Sequence, residues 1–372
     1  MLVLGVELRD FRTYGRAEAR LGEGLTVIHG PNGAGKSNLL EALYYGCTGR
    51  SPRTRNDREL VRFGALAARV VVKLLDEGRA HELTVGLGAG APGAPPVKRM
   101  TADGAPVERL LDVEQRPLVV VFLPDRLELL KGAPAVRRAH LDQLVAAIWP
   151  LRAATRREYS RVLAQRNALL ARIRSGRAST ETLAAWDREL ATWALALREQ
   201  RREAVELLHG PFAERTGQLG CSGEVVLDYR PRSNAGDEHE FCEELRHRLD
   251  GDLERGFTGH GPHRDELVVR RDGRELRVYG SQGEQRLALL ALLLAERDVL
   301  ASERGRTPLM LLDDVMSELD ADRRRLLADD LAAGGQSVIA ATDLAHVPGA
   351  SGPSVARLRI SPGAILQEAI AA

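Results

Sequence analysis

Apolar residues in the first third of the chain come in short runs broken by glycine. Met1 to Leu8 reads as a strand, and Leu25 to His29 as a second, buried strand. A loop and a helix from about Lys36 to Tyr45 follow it. Arg69–Leu75 and His81–Leu87 form a candidate hairpin around Asp76-Glu77-Gly78. Ala89 to Pro96, built of glycine, alanine and proline, is expected to be a flexible surface loop. The continuous apolar run Leu118–Leu123 fits a strand buried on both faces.

From Ala135 to His209 the period lengthens. Leu183, Trp186, Leu190, Trp193 and Leu197 recur at spacings of three and four, which puts one stripe down a helix. A second stripe (Tyr159, Val162, Leu163, Leu169, Leu170, Ile173) precedes the turn-like Ser175-Gly176-Arg177. Together they predict an antiparallel helical hairpin with helices of roughly 25 residues, on the order of 35–40 Å long. The two tryptophans read as packing residues. After Asp252 the strand pattern resumes, with Leu267–Arg270 and Leu276–Tyr279 expected to pair around Asp272-Gly273. The chain then alternates helix, strand Leu309–Leu312, helix and strand Val338–Ala341. The fold class is α/β, with a helical arm interrupting one α/β lobe.

A chain of 372 residues, 44% of them hydrophobic, has ample material for a core and lies outside the disordered class. The formal net charge is only +1, so any attraction to nucleic acid must come from local patches. Lysine occurs at positions 36, 73, 98 and 131 alone. Cys47, Cys221 and Cys242 stand far apart and give neither a zinc spacing nor a disulfide framework. The start lacks the basic and long apolar segments of a signal peptide, and Leu287–Ala295 is about half the length of a membrane span. A soluble, cytoplasmic protein without membrane partners is expected.

Gly30-Pro31-Asn32-Gly33-Ala34-Gly35-Lys36-Ser37 fits G-x-x-x-x-G-K-[ST] between a strand and a helix. In such a loop the glycines let backbone N–H groups face phosphate oxygens, and the helix N-terminus adds its dipole. Lys36 is expected to reach the β- and γ-phosphates of ATP, and Ser37 to ligate Mg²⁺. The apolar strand Leu309–Leu312 ends in two acids. Asp313 is placed to hold Mg²⁺ through water, and Asp314 to orient or deprotonate the attacking water.

Ser317-Glu318-Leu319-Asp320 follows at once and looks like the D-loop of ABC/SMC ATPases. Ser281-Gln282-Gly283-Glu284-Gln285-Arg286 resembles a divergent form of that superfamily's signature, and it opens an apolar helix. An ordinary capping box with Glu284 is the alternative use of those residues. The resemblance implies that Ser281 and Gly283 serve the nucleotide held by a second copy. Most members carry glutamate where Asp314 stands, and the shorter side chain implies slow hydrolysis.

Lys36 and Ser281 lie about 245 residues apart, between the small separation of transporters and the long coiled coils of SMC proteins. Several further strings resemble the RecF family, in its order: Leu8–Tyr14, Thr48–Thr54, Pro134–Asp142, Gly261–Leu267 and Leu311–Asp320. The resemblance implies an ABC-type P-loop ATPase head with a β-subdomain, interrupted by a helical arm domain. The segmentation is 1–124 for the first part of the head, 125–254 for the arm and 255–372 for the rest of the head. It also implies a homodimer formed with ATP on double-stranded or gapped DNA, acting with RecO and RecR to load RecA at gaps.

Arg50, Arg53, Arg55 and Arg58, with Arg62, are the candidate DNA contacts, a solvated basic face being their plainer use. No switch histidine or Q-loop glutamine is identified. His346 and the pair His263-Arg264 are weak candidates for the phosphate sensor. A transporter ATPase lacks support without those features. A nuclease fused to such a head has no room after Asp320, and a small-molecule kinase has no use for the signature. An SMC-like DNA-structure ATPase acting without recombination partners is the alternative kept.

Overall fold

A computed structural model describes residues 1–88 and 97–368; the expected loop Ala89–Pro96 lies outside the described residues. Two compact units emerge. The first gathers Met1–Arg126, the short piece Gln218–Gly220 and the chain from Leu300 onward; the second holds Leu127–Gly217 and Cys221–Val299.

Two sheets build the first unit. One is antiparallel, with strands β1 (Leu2–Phe11), β2 (Tyr14–Arg20), β4 (Ala67–Asp76), β5 (Arg79–Gly88), β6 (Val97–Ala102) and β7 (Ala105–Val107) in the order β2-β1-β4-β5-β6-β7. The other runs β15-β14-β3-β13-β12-β8, from β3 (Leu25–His29), β8 (Val119–Phe122), β12 (Leu309–Asp313), β13 (Ser337–Ala341), β14 (Ala356–Ser361) and β15 (Ala364–Glu368). Its pairings are parallel except that of β15 with β14.

The central strands β3, β12 and β13 are apolar along nearly their whole length because helices and the second sheet leave neither face to water. Alternation in β4 and β5, by contrast, marks strands with one wet face. Helix α1 (Lys36–Thr48) buries Leu39, Leu40 and Leu43 in a core shared with both sheets. Gln336 ties the layers by hydrogen bonds to both the N–H and the carbonyl of Val3, at 2.8 and 2.7 Å.

In the second unit the helices Ala153–Arg174 and Leu183–Gln218 flank the expected turn at Ser175–Arg177. Tyr159, Val162, Leu190 and Leu197 are buried together, with Trp186 and Trp193 packed against them, so the tryptophans do serve as packing. The second helix is longer than its stripe suggests, at 36 residues against 22 for the first. Buried charge sits where an apolar stripe would continue. Arg166, wholly buried, donates to Asp187 at 2.7 Å, Asp252 at 3.0 Å and Thr258 at 2.7 Å.

A three-stranded sheet, in the order β11-β10-β9, belongs to this unit: β9 (Val225–Arg230), β10 (Glu266–Arg271) and β11 (Arg274–Glu275). Asp272-Gly273 makes the expected turn, but Leu276–Tyr279 is one turn of helix and not a strand. Leu276 is drawn into the core there while Val278 and Tyr279 stay exposed, which no strand alternation would place. The compact units also divide the chain differently from the segmentation at 254/255. Residues 255–299 lie with the helical unit because Glu266 and Asp265 are held by Arg137 and Arg201 of its helices.

Candidate functional site

The phosphate-loop residues stand at the carboxyl end of β3, where the chain turns into α1. Glycine is obligatory at two positions. Gly30 has φ 147°, and a Cβ there would lie 2.3 Å from the Ile360 carbonyl oxygen. Gly35 has φ 118°, and its Cβ would meet the Tyr14 hydroxyl at 2.9 Å. That hydroxyl donates to the Gly35 carbonyl at 2.9 Å and locks the loop against the antiparallel sheet. Around these fixed points Pro31, Asn32 and Gly33 are exposed, whereas Ala34 is buried.

Lys36 is buried, and its Nζ donates to the carbonyls of Gly30 at 2.7 Å and Pro31 at 3.1 Å. Burial lowers its pKa, and the nearby carboxylates of Asp313 and Asp314 oppose that shift. The Ser37 side chain lies close enough to the Asp313 carboxyl to favour its charged form. Asp313, at the end of β12, is 5% exposed. Its pKa is raised by burial; Ser37 opposes the shift, and the charge of Asp314 adds to it. Asp314 itself adopts φ 52°, a left-handed conformation that turns the backbone at the strand end. Thus Lys36, Ser37, Asp313 and Asp314, drawn from opposite ends of the chain, share one place.

A buried carboxylate next to this place was missed in the sequence. Glu41, wholly inaccessible on α1, accepts from Arg12 Nε and Nη2 at 2.8 and 2.9 Å and from the Ser51 hydroxyl at 2.6 Å. Arg53 reaches the same carboxylate at 3.3 Å and the Asn38 side chain at 3.1 Å. It lies near enough to Asp313 to lower that group's pKa. The available signal was a lone acid inside the run Leu39-Leu40-Glu41-Ala42-Leu43. Of the remaining arginines, Arg50, Arg55 and Arg58 are exposed, and Arg62 is paired with Asp10 at 2.9 Å.

The signature-like residues lie in the second unit. Ser281 and Glu284 cap one another at the start of the helix Gln282–Arg304: the Ser281 N–H donates to Glu284 Oε2 at 2.8 Å, and the Glu284 N–H to Ser281 Oγ at 3.3 Å. Arg271 pairs with the same glutamate. Ser281 and Gly283 are exposed, and a Cβ on Gly283 would meet nothing within 4 Å. Packing within the chain therefore gives no reason for glycine there. Of the weak sensor candidates, His263 is bonded within the helical unit, and His346 lies 3.2 Å from the Thr342 hydroxyl. Arg264 is exposed over the Phe257 ring.

A phosphate-loop strand and a strand ending in paired acids share a mostly parallel sheet, an antiparallel sheet lies across α1, and a helical unit interrupts the sequence. This defines an ABC/SMC-type ATPase head. Residues 6–85 match the family model described as an AAA domain. The chain is 38% identical to the DNA replication and repair protein RecF of Anaeromyxobacter sp. (strain Fw109-5), over 98% of this chain and 99% of that protein. It is 37% identical to the protein of the same name from Roseiflexus castenholzii, over 91% and 92%. The chain belongs to the RecF family.

Among solved structures, the recombination mediator protein RecF-ATP in the RecFOR pathway superposes with a TM-score of 0.87 at 27% identity, covering 99% of this chain and 98% of that one. An SMC head bound to the C-winged helix domain of ScpA shares the fold alone, with a TM-score of 0.58 at 16% identity. No described helix is long and apolar enough to cross a membrane.

Proposed function

We propose that this chain is an ATP-dependent DNA-binding protein that dimerises with ATP on DNA and helps load the RecA recombinase at gaps, hydrolysing ATP slowly. The observation that carries the reading is the meeting of Ser37 with Asp313 beside Lys36. A buried ammonium resting on two backbone carbonyls, and a buried carboxyl pressed by a second one, suit a phosphate chain and a divalent cation. The residues present therefore fit ATP and Mg²⁺.

Lys36 and the loop Gly30–Ser37 would hold the phosphates, and Ser37 and Asp313 the Mg²⁺, which neutralises phosphate charge when bound. Asp314 orients water for attack, and its short side chain makes that step slow. Ser281 and Gly283 serve the nucleotide of a second copy; the open space at Gly283 supports that role. Arg50, Arg55 and Arg58 contact DNA phosphates, with Arg53 contributing less because Glu41 already holds it. RecR, with RecO, is the partner that the RecFOR context of the RecF-ATP structure suggests.

The test combines light scattering with a pull-down on RecR, each with and without ATP, Mg²⁺ and gapped DNA. Nucleotide-dependent dimerisation and RecR capture on gapped DNA are expected. A chain that stays monomeric with ATP and ignores RecR would overturn the reading.

A further inference from the structure

Phe63 stands apart from every other phenylalanine of the chain. Phe11, Phe122, Phe212 and Phe241 are buried, and Phe257 lies under the guanidinium groups of Arg255 and Arg264. Phe63 is fully exposed, at the tip of a turn that also shows Leu66 at 85%. An aromatic ring left in water forgoes the burial that stabilises most others.

The turn is firmly held. Phe11 and Val61 form an antiparallel bridge, Arg12 N–H donates to the Leu60 carbonyl at 2.7 Å, and Arg62 N–H to the Asp10 carbonyl at 2.8 Å. The Arg62 side chain grips Asp10 at 2.9 Å, and the turn closes with Ala65 N–H on the Arg62 carbonyl at 2.9 Å. The ring is presented at little further cost in order. The segment that carries it is rich in arginine: between positions 50 and 69 stand arginines 50, 53, 55, 58, 62 and 69, against acids Asp57 and Glu59. Arg53 and Arg62 are further engaged by Glu41 and Asp10 from elsewhere in the chain. In a chain of net charge +1 this is a local excess, and it suits a polyanion over an apolar protein surface.

We infer that Phe63 is a base-stacking site: its ring takes a nucleobase that has left the duplex stack, while the neighbouring arginines hold the adjoining phosphates. Phosphate contacts do not distinguish intact duplex from a gap, but an unstacked base is offered only at a gap or junction. The ring thereby supplies preference for the junction. This rests on the DNA-binding reading above and adds the group that reads the discontinuity.

The test uses the full-length protein with ATP and Mg²⁺ at one fixed salt concentration, on a gapped duplex and on the same duplex with the gap filled. Stacking on one base is worth about five- to hundredfold in binding. Phe63→Ala and Phe63→Leu should lose the preference for the gapped DNA by a factor in that range, with binding to the filled duplex and ATP hydrolysis kept. Phe63→Trp should retain the preference, and its indole fluorescence should be quenched by the gapped DNA alone. An unchanged ratio in Phe63→Ala overturns the inference. So does retention of the ratio by Phe63→Leu, or loss of ATP-driven self-association in Phe63→Ala, since either makes the ring an apolar protein contact. Wild-type protein that binds neither DNA removes the DNA-binding reading itself. Equal wild-type binding to both removes the stacking site alone.

Discussion

The Tyr159 hydroxyl lies 2.6 Å from His263 Nδ1, while His263 Nε2 lies 2.9 Å from the Thr258 carbonyl. A carbonyl only accepts, so Nε2 carries the proton, and Nδ1 accepts from the tyrosine. His263 is thus a neutral strut between a long helix and the loop before β10.

Burial pushes the His263 pKa down to about 4 from its ordinary 6.5. As the pH falls through that window, the unfolded chain takes up a proton that the folded one refuses, so stability falls. The expected loss is up to about 3 kcal/mol between pH 6.5 and 4. His263→Gln takes up no proton in either state and should show a flatter profile. Urea midpoints at several pH values measure the difference, and parallel profiles would exclude His263 as its source.

Lys36→Met removes a buried cation while leaving the loop backbone, with its positive-φ glycines, intact. The nucleotide-free protein should be no less stable, because burial of the ammonium already opposes its charge. ATP affinity should fall by about 10- to 150-fold, the worth of a charge-assisted contact. Isothermal titration and a thermal melt together check both halves.

Asp313 and Asp314 should separate on substitution. Burial raises the Asp313 pKa, so its ionised form destabilises the fold at neutral pH, and Asp313→Asn relieves that while weakening Mg²⁺-dependent nucleotide binding. Asp314→Asn should keep nucleotide binding and trap an ATP-bound dimer visible by light scattering. Equal loss of binding in both variants would refute the division of labour.

Ser281→Arg should preserve ATP binding and abolish nucleotide-driven dimerisation. Ser281→Ala loses the cap to Glu284, at about 1 kcal/mol of stability, together with the hydroxyl offered to the partner's nucleotide, and should weaken dimerisation less than the arginine does. Dimerisation that survives the arginine would leave Ser281 as a helix cap and nothing more.

Neutralising one arginine that meets a phosphate of duplex DNA should lower the logarithmic salt slope by about 0.9. Arg55→Gln and Arg58→Gln should each show that change. Arg53→Gln should show less in the slope and more in stability, because its guanidinium spans Glu41 and Asn38. Duplex titrations at several salt concentrations resolve the three.

The phosphate loop and the acidic strand end were legible because each combines a local pattern with a local element: glycines between strand and helix, and acids closing an apolar run. The helical hairpin was legible through its stripe. Contacts made across sequence were not. Glu41 reads as a stray charge on an apolar helix until Arg12 and Arg53 are brought to it. Arg166 and Arg201 read as surface arginines until Asp252 and Asp265 neutralise them within the helical unit. Leu276–Tyr279 reads as a strand because four residues are too few for a period to declare itself. An antiparallel turn predicts a partner strand, and here the partner stops after Glu275.

Glu41 also constrains how this sequence can change. Its carboxylate is shared by two guanidinium groups and one hydroxyl, Arg12 from one stretch of chain and Ser51 and Arg53 from another. Loss of the acid alone strands Arg12 and Arg53 beside one another, and loss of Arg12 alone leaves a buried anion short of its closest counter-ion. Single steps away from the present set are each unfavourable, whereas a joint exchange to apolar residues need not be. Drift at this place is therefore collective: positions 12, 41, 51 and 53 should vary together among relatives or hardly at all.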